Sequence, residues 1–459
     1  MADENPGRVV WQLAGPAVML NLLQMINGFL DTSFIARIQY QGRPDEAALA
    51  AVAASMSVLF LFFSIGMSLG TAPTAIVSRA FGAENDEEVR HASRISLGYS
   101  LLAGIVFIGI GFAILPVARM SFVPADSPRV GVLMAEYLGL VCLSLPALYG
   151  IQTVAGCLRA IGDSKSPLYI SGLQILLHIA LNFVFILDGQ RVFGLSIPGL
   201  GWGIRGAGLA MTVSAYMALV IYLIWVRRTP LKLDRPEMPN LEWVRRLTRI
   251  AAPAAGMAIL RVGSFSILVG ILSRVPDHVH ALGAMRVGIQ MESIAFLPAF
   301  ALMISAQALV GQSLGMQRPD RAERLGWLAA HHSAAVVTVL SLLMLVFAPW
   351  MARVLLEGQP ESTIAIAVRY AQIILITETL FSYGMVLVGA MQGAGDTARP
   401  FWMSLISLWI VRIPIAWFLA LQMKMGSDGV WIAMAISQSV NGLLAMALFK
   451  QGQWKTARV

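Results

Sequence analysis

Four polar residues, Asn21, Gln24, Asn27 and Asp31, recur at steps of three, three and four inside the first long apolar run. That spacing places them on one face of a helix. A carboxylate deep in a bilayer costs about 3 kcal/mol or more, so an acid there usually belongs to an ion or substrate path. Asp31 would then take up and release a cation. The fifth run carries His178 and Asn182, one helical turn apart, and the sixth carries Thr212. Counted along a helix, all four groups reach a similar depth from the outer ends of their runs. Asp31 with the oxygens of Asn182 and Thr212 could hold Na⁺. Asp31 with His178 could instead relay protons, since histidine titrates near neutral pH. The alternative is a hydrogen-bonded structural cluster. In the second half, Arg261, Glu292 and Glu378 are ionisable residues inside apolar runs. Arg261 is expected to be neutralised by one of the two glutamates. The set reads either as a structural ion pair or, with Gln24 and Asn27, as the lining of a substrate cavity.

The elements that must position these residues follow from composition. The chain has 459 residues, 57% hydrophobic and 13% charged, against about 25% charged in a soluble domain. This excludes an ordinary soluble enzyme, a disordered chain and a disulfide scaffold. A spanning helix needs about 20 apolar residues. The sequence predicts twelve spans, at 9–38, 47–78, 93–118, 130–158, 167–188, 202–226, 246–274, 281–312, 326–350, 363–392, 400–422 and 428–450. The fold class is thus an all-α polytopic membrane protein. Strands are not expected, because the apolar runs are long and do not alternate. Trp202, Trp225, Trp350, Trp402 and Trp431 fall near span ends, as an aromatic belt requires. Lys and Arg are about twice as frequent in one set of connecting segments as in the other, which places both termini in the cytoplasm. Arg261, Arg369 and Arg412 fall inside spans. The net charge of +8 reads as this orienting bias rather than as a nucleic-acid surface. The acidic start, MADENPGR, lacks a basic leader region, so the first run should stay as a helix.

The two halves of the sequence repeat. VSRAFGAENDEEVR from Val77 matches VGQSLGMQRPDRAE from Val310, and GCLRAIGDSKSP from Gly156 matches GAMQGAGDTARP from Gly389. Both matches share one separation, Gly82 to Gly315 and Gly162 to Gly395. A repeat of six spans preserves orientation, so the halves are parallel copies about an axis along the membrane normal. The expected organisation is an N-terminal lobe over 1–226, a cytoplasmic linker over 227–249 and a C-terminal lobe over 250–459. In each GD…P segment the Gly should end a helix, the Asp or a Ser/Thr should cap the next, and the Pro should sit in its first turn. No GxxxxGK[ST] and no HExxH is present, so neither P-loop ATP use nor that zinc chemistry is expected. Gly66-Met-Ser68-Leu-Gly70 matches a nucleophile-elbow pattern, but that elbow needs a strand-turn-helix. Here it reads as small residues at a close helix approach. No cofactor is implied beyond a coupling ion.

With these residues assembled, the chain resembles the multidrug and toxic compound extrusion (MATE) transporters. The likeness covers nearly the whole chain. It rests on LDTSFIAR around Asp31, ALAAVAAS at 48–55, VSRAFGA at 77–83, HIALNFVFI at 178–186, GAGLAMT at 206–212 and the two GD…P segments. The resemblance implies two six-helix lobes around a central cleft and export of cationic, amphipathic compounds against Na⁺ or H⁺. It also implies a first-lobe cation site that falls on Asp31, His178, Asn182 and Thr212. The first fifth-span position is usually Asn in that family, and His178 leans the chain toward H⁺. One branch carries an acid eight residues after the seventh-span proline. Here Pro253 leads to Arg261, so that branch's second-lobe acids do not carry over.

The reading is a secondary antiporter, not an enzyme. It exports small amphipathic, cationic, drug-like compounds in exchange for H⁺ or Na⁺, with H⁺ favoured. A flippase or exporter of a lipid-linked or anionic substrate is the alternative that Arg261 raises, and an ion channel is the alternative of another class. The expected partners are a small-molecule substrate and membrane lipid, with no nucleic acid. The expected state is a monomer in the plasma (bacterial inner) membrane.

Overall fold

Glycine, proline and the absence of charge decide where this chain runs helical and where it turns. A computed structural model describes residues 5–40, 43–123, 126–192, 195–233, 235–457 and 459, the side chains of 190–192 and 195–198 excepted. The opening residues 1–4, and Arg458 and the Arg191 side chain among the basic residues of the connecting segments, therefore lie outside the described set.

The helices are α1 (Pro6–Ala36), α2 (Glu46–Gly82), α3 (Asp86–Phe122), α4 (Pro128–Cys142), α5 (Leu145–Ala160), α6 (Lys165–Phe185), α7 (Gly203–Val226), α8 (Leu241–Leu272), α9 (His278–Gly315), α10 (Pro319–Leu355), α11 (Glu361–Leu375), α12 (Glu378–Gly393), α13 (Ala398–Gln422) and α14 (Ser427–Gln451). Ten of them are long and apolar enough to cross a membrane. The pairs α4–α5 and α11–α12 bend by 45° and 54° and qualify together, giving twelve. The protein is all-α and polytopic, as expected. The two bends depart from the straight spans predicted over 130–158 and 363–392, and they occur at equivalent places in the repeat. Within α13, Ile406–Arg412 and Phe418–Gln422 wind as π-helix, a form that is rare and often marks a functional position.

Strands do occur, contrary to expectation, but only in connections. Gln39–Tyr40 pairs with Arg43–Pro44, and Asp188–Val192 pairs with Leu195–Leu200, both antiparallel. Both hairpins lie outside the apolar runs, where hydrocarbon imposes no penalty on sheet edges. The belt expectation fails at Trp431, which is 0% exposed and packs edge-on against Tyr370. Trp202, Trp225, Trp350 and Trp402 are exposed as predicted.

The chain forms two compact units. The first comprises Met1–Val18, Ser78–Glu84 and Arg249–Val459, and the second Met19–Val77 and Asn85–Thr248. In the first unit the repeat meets itself. A Cβ on Gly82 would stand 2.0 Å from the Gln312 carbonyl, and one on Gly315 would stand 2.1 Å from the Arg79 carbonyl. The ends of α2 and α9 thus cross reciprocally, which explains why glycine occupies both repeat positions. The GD…P segments cap as their chemistry predicts. Gly162 and Gly395 have positive φ. Asp163 Oδ1 accepts from the backbone of Lys165 (3.1 Å) and Ser166 (2.9 Å). Asp396 accepts from the Arg399 backbone and pairs with its guanidinium.

Candidate functional site

In the second unit, α6 is fixed against α7 by polar contacts near its start. Ser171 Oγ lies 3.0 Å from the Tyr222 hydroxyl, and Trp225 Nε1 donates to Ser166 Oγ (2.8 Å). Farther along, Phe183 meets Phe34 of α1 edge to face with centroids 4.7 Å apart. These contacts bring the polar faces of α1 and α6 together. Asp31 Oδ2 accepts from Asn27 Nδ2 (3.1 Å), one turn earlier on α1. Its Oδ1 accepts from Asn182 Nδ2 (2.9 Å) across on α6. His178, one turn before Asn182, brings Nδ1 to 3.7 Å from Asp31 Oδ1 and 3.5 Å from Asn27 Nδ2. That ring nitrogen faces an amide donor, a contact it can accept only when unprotonated. The Asp31 side chain keeps 30% of its surface open, so an ion can reach the carboxylate. The amide oxygens of Asn27 and Asn182 are buried without a hydrogen-bond partner. Two acceptors therefore remain unused beside the acid.

A second polar cluster lies in the first unit. Glu292 of α9 accepts from the Tyr370 hydroxyl (2.6 Å) on α11 and from Gln438 Nε2 (2.9 Å) on α14. Thr377, at the α11–α12 bend, donates to Gln438 Oε1 (3.0 Å) and to the Ile374 carbonyl (2.9 Å). Glu378 opens α12 and is fully buried, with no N–H or O–H donor on either carboxyl oxygen and with Glu292 in hydrogen-bonding reach. Arg412 ends the first π-helical turn of α13. It is buried, donates through Nε to Ser437 Oγ (2.7 Å), and is within electrostatic reach of Glu292. No group of three or more His, Cys, Asp or Glu among the described residues is arranged to hold a metal ion.

The MatE family model matches residues 16–184 and 253–418. The chain belongs to the MatE family. It is 27% identical to a protein named probable multidrug resistance protein NorM of Bradyrhizobium diazoefficiens, over 96% of this chain and 92% of that one. It is 24% identical to one of the same name from Thermotoga maritima, over 98% and 93%. Among solved structures it superposes on an outward-facing multidrug resistance MATE family transporter of the MOP superfamily, with a TM-score of 0.87 and 17% identity over 99% of this chain and 98% of that one. A MOP superfamily transporter from Pyrococcus furiosus, described as having a binding pocket of reverse polarity, matches with a TM-score of 0.85 and 17% identity over 98% and 96%. This MatE protein is thus an integral membrane transporter and not an enzyme.

The structure of this MatE protein joins some of the residues singled out in the sequence and separates others. Asp31, Asn27, His178 and Asn182 converge. Thr212 does not bond to Asp31. Its hydroxyl lies 2.7 Å from the Leu140 carbonyl and 2.9 Å from Gly208's. Tyr216, one turn on, donates to the Leu143 carbonyl (3.0 Å). Both serve the end of α4, where the bend leaves carbonyls without helical partners. Gln24 is exposed on α1 and makes no side-chain hydrogen bond among the described residues. Glu292 and Glu378 converge, but neither neutralises Arg261, which forms no ion pair among the described residues. Arg412 is within electrostatic reach of both Glu292 and Arg261, and it forms no ion pair with Glu292 among the described residues either. The expected pairing of Arg261 with a glutamate is not formed, because sequence distance cannot tell which face of a helix a side chain presents. Two tyrosines were also missed. Tyr137 of α4 is buried within electrostatic reach of Asp31, and Tyr370 binds Glu292. They occupy equivalent positions in the repeat, and that equivalence was the available signal.

Proposed function

We propose that this MatE transporter is a secondary antiporter that exports small amphipathic, cationic compounds in exchange for H⁺ at Asp31. The observation that carries the reading is one carboxylate, partly open, held by two amide donors and faced by an imidazole inside a membrane-spanning helix pair. The names of its relatives, probable multidrug resistance proteins, support a drug-like cargo. Exchange of H⁺ is favoured over Na⁺ by the donor set. Each Asp31 oxygen already accepts an amide N–H, His178 turns a ring nitrogen rather than an oxygen toward it, and Thr212 is turned away to carbonyls, so the oxygens left beside the acid, those of Asn27 and Asn182, are fewer than a hard cation takes. The working frame is the two-lobe division at 1–226 and 250–459, a monomer in the bacterial inner membrane, and both termini in the cytoplasm. A monovalent cation exchanged for one H⁺ moves no net charge, so the pH difference alone would drive it. The decisive test is ethidium efflux from proteoliposomes with an imposed ΔpH. Asp31→Asn is expected to lower ion-driven efflux at least tenfold, and replacing Na⁺ by K⁺ at fixed pH is expected to change nothing. Unchanged efflux in the variant rejects the mechanism. A Na⁺ requirement would reassign the ion.

A second reading rests on Arg261 and Arg412, two guanidinium groups within electrostatic reach of each other in the first unit. They favour an anionic or lipid-linked cargo. Arg261→Ala would abolish transport of such a cargo and leave ethidium efflux intact.

A further inference from the structure

We propose that the linker after α7 and the start of α3 form a binding site for a phosphodiester, supplied by the headgroup of an anionic phospholipid. The linker runs across α3 as a strap. Leu231 and Leu233 pin it, each 0% exposed. Farther on, the Glu237 backbone donates to the Arg94 carbonyl (3.1 Å), and a Cβ on Gly98 would stand 2.0 Å from the Glu237 carbonyl. Lys232 lies between these anchors with a φ of 40°, and the Arg94 guanidinium donates to its carbonyl (3.5 Å). Strap and helix together enclose a cavity of about 660 Å³ whose lining includes Arg90, His91, Arg94 and Lys232. That volume falls within the range of small-ligand sites.

The first unit fills the equivalent place with an acid of its own. Glu84 and Gln317, related by the separation of the repeat, both take positive φ (57° and 56°) just before α3 and α10. The two helix starts therefore align, and Glu323 stands where Arg90 does. In the first unit the segment after α14 is anchored by the buried Trp454, and Lys455 donates to Glu323 (2.6 Å). In the second unit the strap lysine, Lys232, shares its cavity with an arginine instead. Neither Arg90 nor Lys232 forms an ion pair or a side-chain hydrogen bond among the described residues. An oxyanion answers both, because Arg90 presents paired N–H donors and Lys232 a compact charge.

The charges favour an anion of minus one. The lining and its ion-pair partners hold four cations, Arg90, Arg94, Lys232 and Arg246, against three acids, Glu87, Glu88 and Glu237. Glu88 pairs with Arg246 (3.0 Å), and Glu237 faces His91 (3.5 Å). With His91 neutral the surplus is a single positive charge, which a phosphodiester balances. The strap itself indicates a lipid as the source. Met238 and Leu241 are each 76% exposed, and acyl chains would cover them where a soluble phosphate would not. Basic segments beside membrane spans suit anionic headgroups. The inference stands on this cavity and not on the antiport reading.

Calorimetric titration of the purified full chain in neutral detergent with dihexanoyl phosphatidylglycerol tests it, with inorganic phosphate in a parallel titration. Saturable lipid binding is expected. Arg90→Gln should weaken it about tenfold, as loss of one charge-assisted hydrogen bond implies. Arg90→Glu gives the second unit the acid that the first has in Glu323. It should abolish lipid binding without lowering the thermal unfolding midpoint. Lys232→Gly should weaken binding and raise that midpoint, because glycine suits a positive φ. This variant keeps the test decisive if an Arg90 variant fails to fold. Arg228→Gln, a linker charge outside the cavity lining, should change nothing. Absence of saturable lipid binding overturns the proposal. So does equal weakening by Arg228→Gln, which would make the attraction a general property of the basic linker. Tighter binding of inorganic phosphate than of the lipid overturns the headgroup as the occupant.

Discussion

The two units hold their acids differently although their scaffolds repeat. Asp31 is partly open, sits on the first helix of its half, and is held by amides of α1 and α6. Glu378 is closed, starts a helix at a bend, and shares its surroundings with a second glutamate and an arginine. The reciprocal glycines, the capped GD…P turns, the bends and the paired tyrosines Tyr137 and Tyr370 are shared. The acids are not. Leu145 stands where Glu378 does in the repeat, Leu59 where Glu292 does, and Ile415 where Asn182 does. The halves share what makes helices meet and bend, and differ in their polar groups. A tyrosine in reach of an acid is present in both.

The largest effect that can break this comparison is on coupling. If the two acids act separately, Asp31→Asn lowers ΔpH-driven ethidium efflux at least tenfold, while Glu378→Gln leaves a measurable flux. Proteoliposome flux reads both variants. Equal loss in the two variants would make them one centre and remove the contrast.

The shared scaffold gives the next effect. Gly82→Ala and Gly315→Ala each place a methyl group against a carbonyl that is already in contact. Overpacking of this kind costs about 1–3 kcal/mol, and the reciprocal geometry makes the two costs similar. Thermal unfolding in detergent checks this. A large cost at one glycine and none at the other would mean that the crossing is not symmetric.

The tyrosines sharpen the comparison further. Tyr370→Phe leaves Glu292 Oε2 without its donor in a buried cluster, and loss of a hydrogen bond to a charged group costs about 1.5–3 kcal/mol. Tyr137 makes no such bond to Asp31, so Tyr137→Phe is expected to cost less. Reversal of that order in unfolding would show that the equivalent tyrosines have exchanged roles.

Much of this was legible in the sequence. Span number followed from the length of apolar runs, and the repeat was visible as residues with backbone duties: glycines at close crossings and positive φ, aspartates at caps. The convergence of Asp31, Asn27, His178 and Asn182 followed from helical spacing on two helices. What was not legible depended on geometry that apolar runs do not encode. The bends at Leu143–Ser144 and Ile376–Thr377 interrupt neither run in composition, so Glu378 read as a mid-span acid rather than the first residue of a helix. The π-helical turn that carries Arg412 shifts its face relative to an ideal helix, so its electrostatic reach to Glu292 was not legible. Trp431 has a position near a span end that suits a belt, yet it fills the core around Tyr370.

The smallest expected effect concerns Thr212, where spacing and contacts disagree. Its depth matches Asp31's, but its hydroxyl lies against the Leu140 carbonyl at the end of α4. Thr212→Val keeps the side chain's shape and removes that donor. The freed carbonyl costs about 1 kcal/mol of stability, while proton-coupled efflux stays within about twofold, since no atom serving Asp31 is lost and one lost hydrogen bond is worth less than a factor of ten in rate. Serine at the same position restores the hydroxyl and should restore the stability. The comparison between units makes this informative. In the first unit the bend is served by Thr377, which also reaches Gln438 and through it Glu292. In the second, Thr212 serves the bend without touching the acid. If Thr212→Val instead abolished coupling or made efflux depend on Na⁺, the hydroxyl would have to turn to Asp31 during transport. The second unit's bend and acid would then be linked as they are in the first.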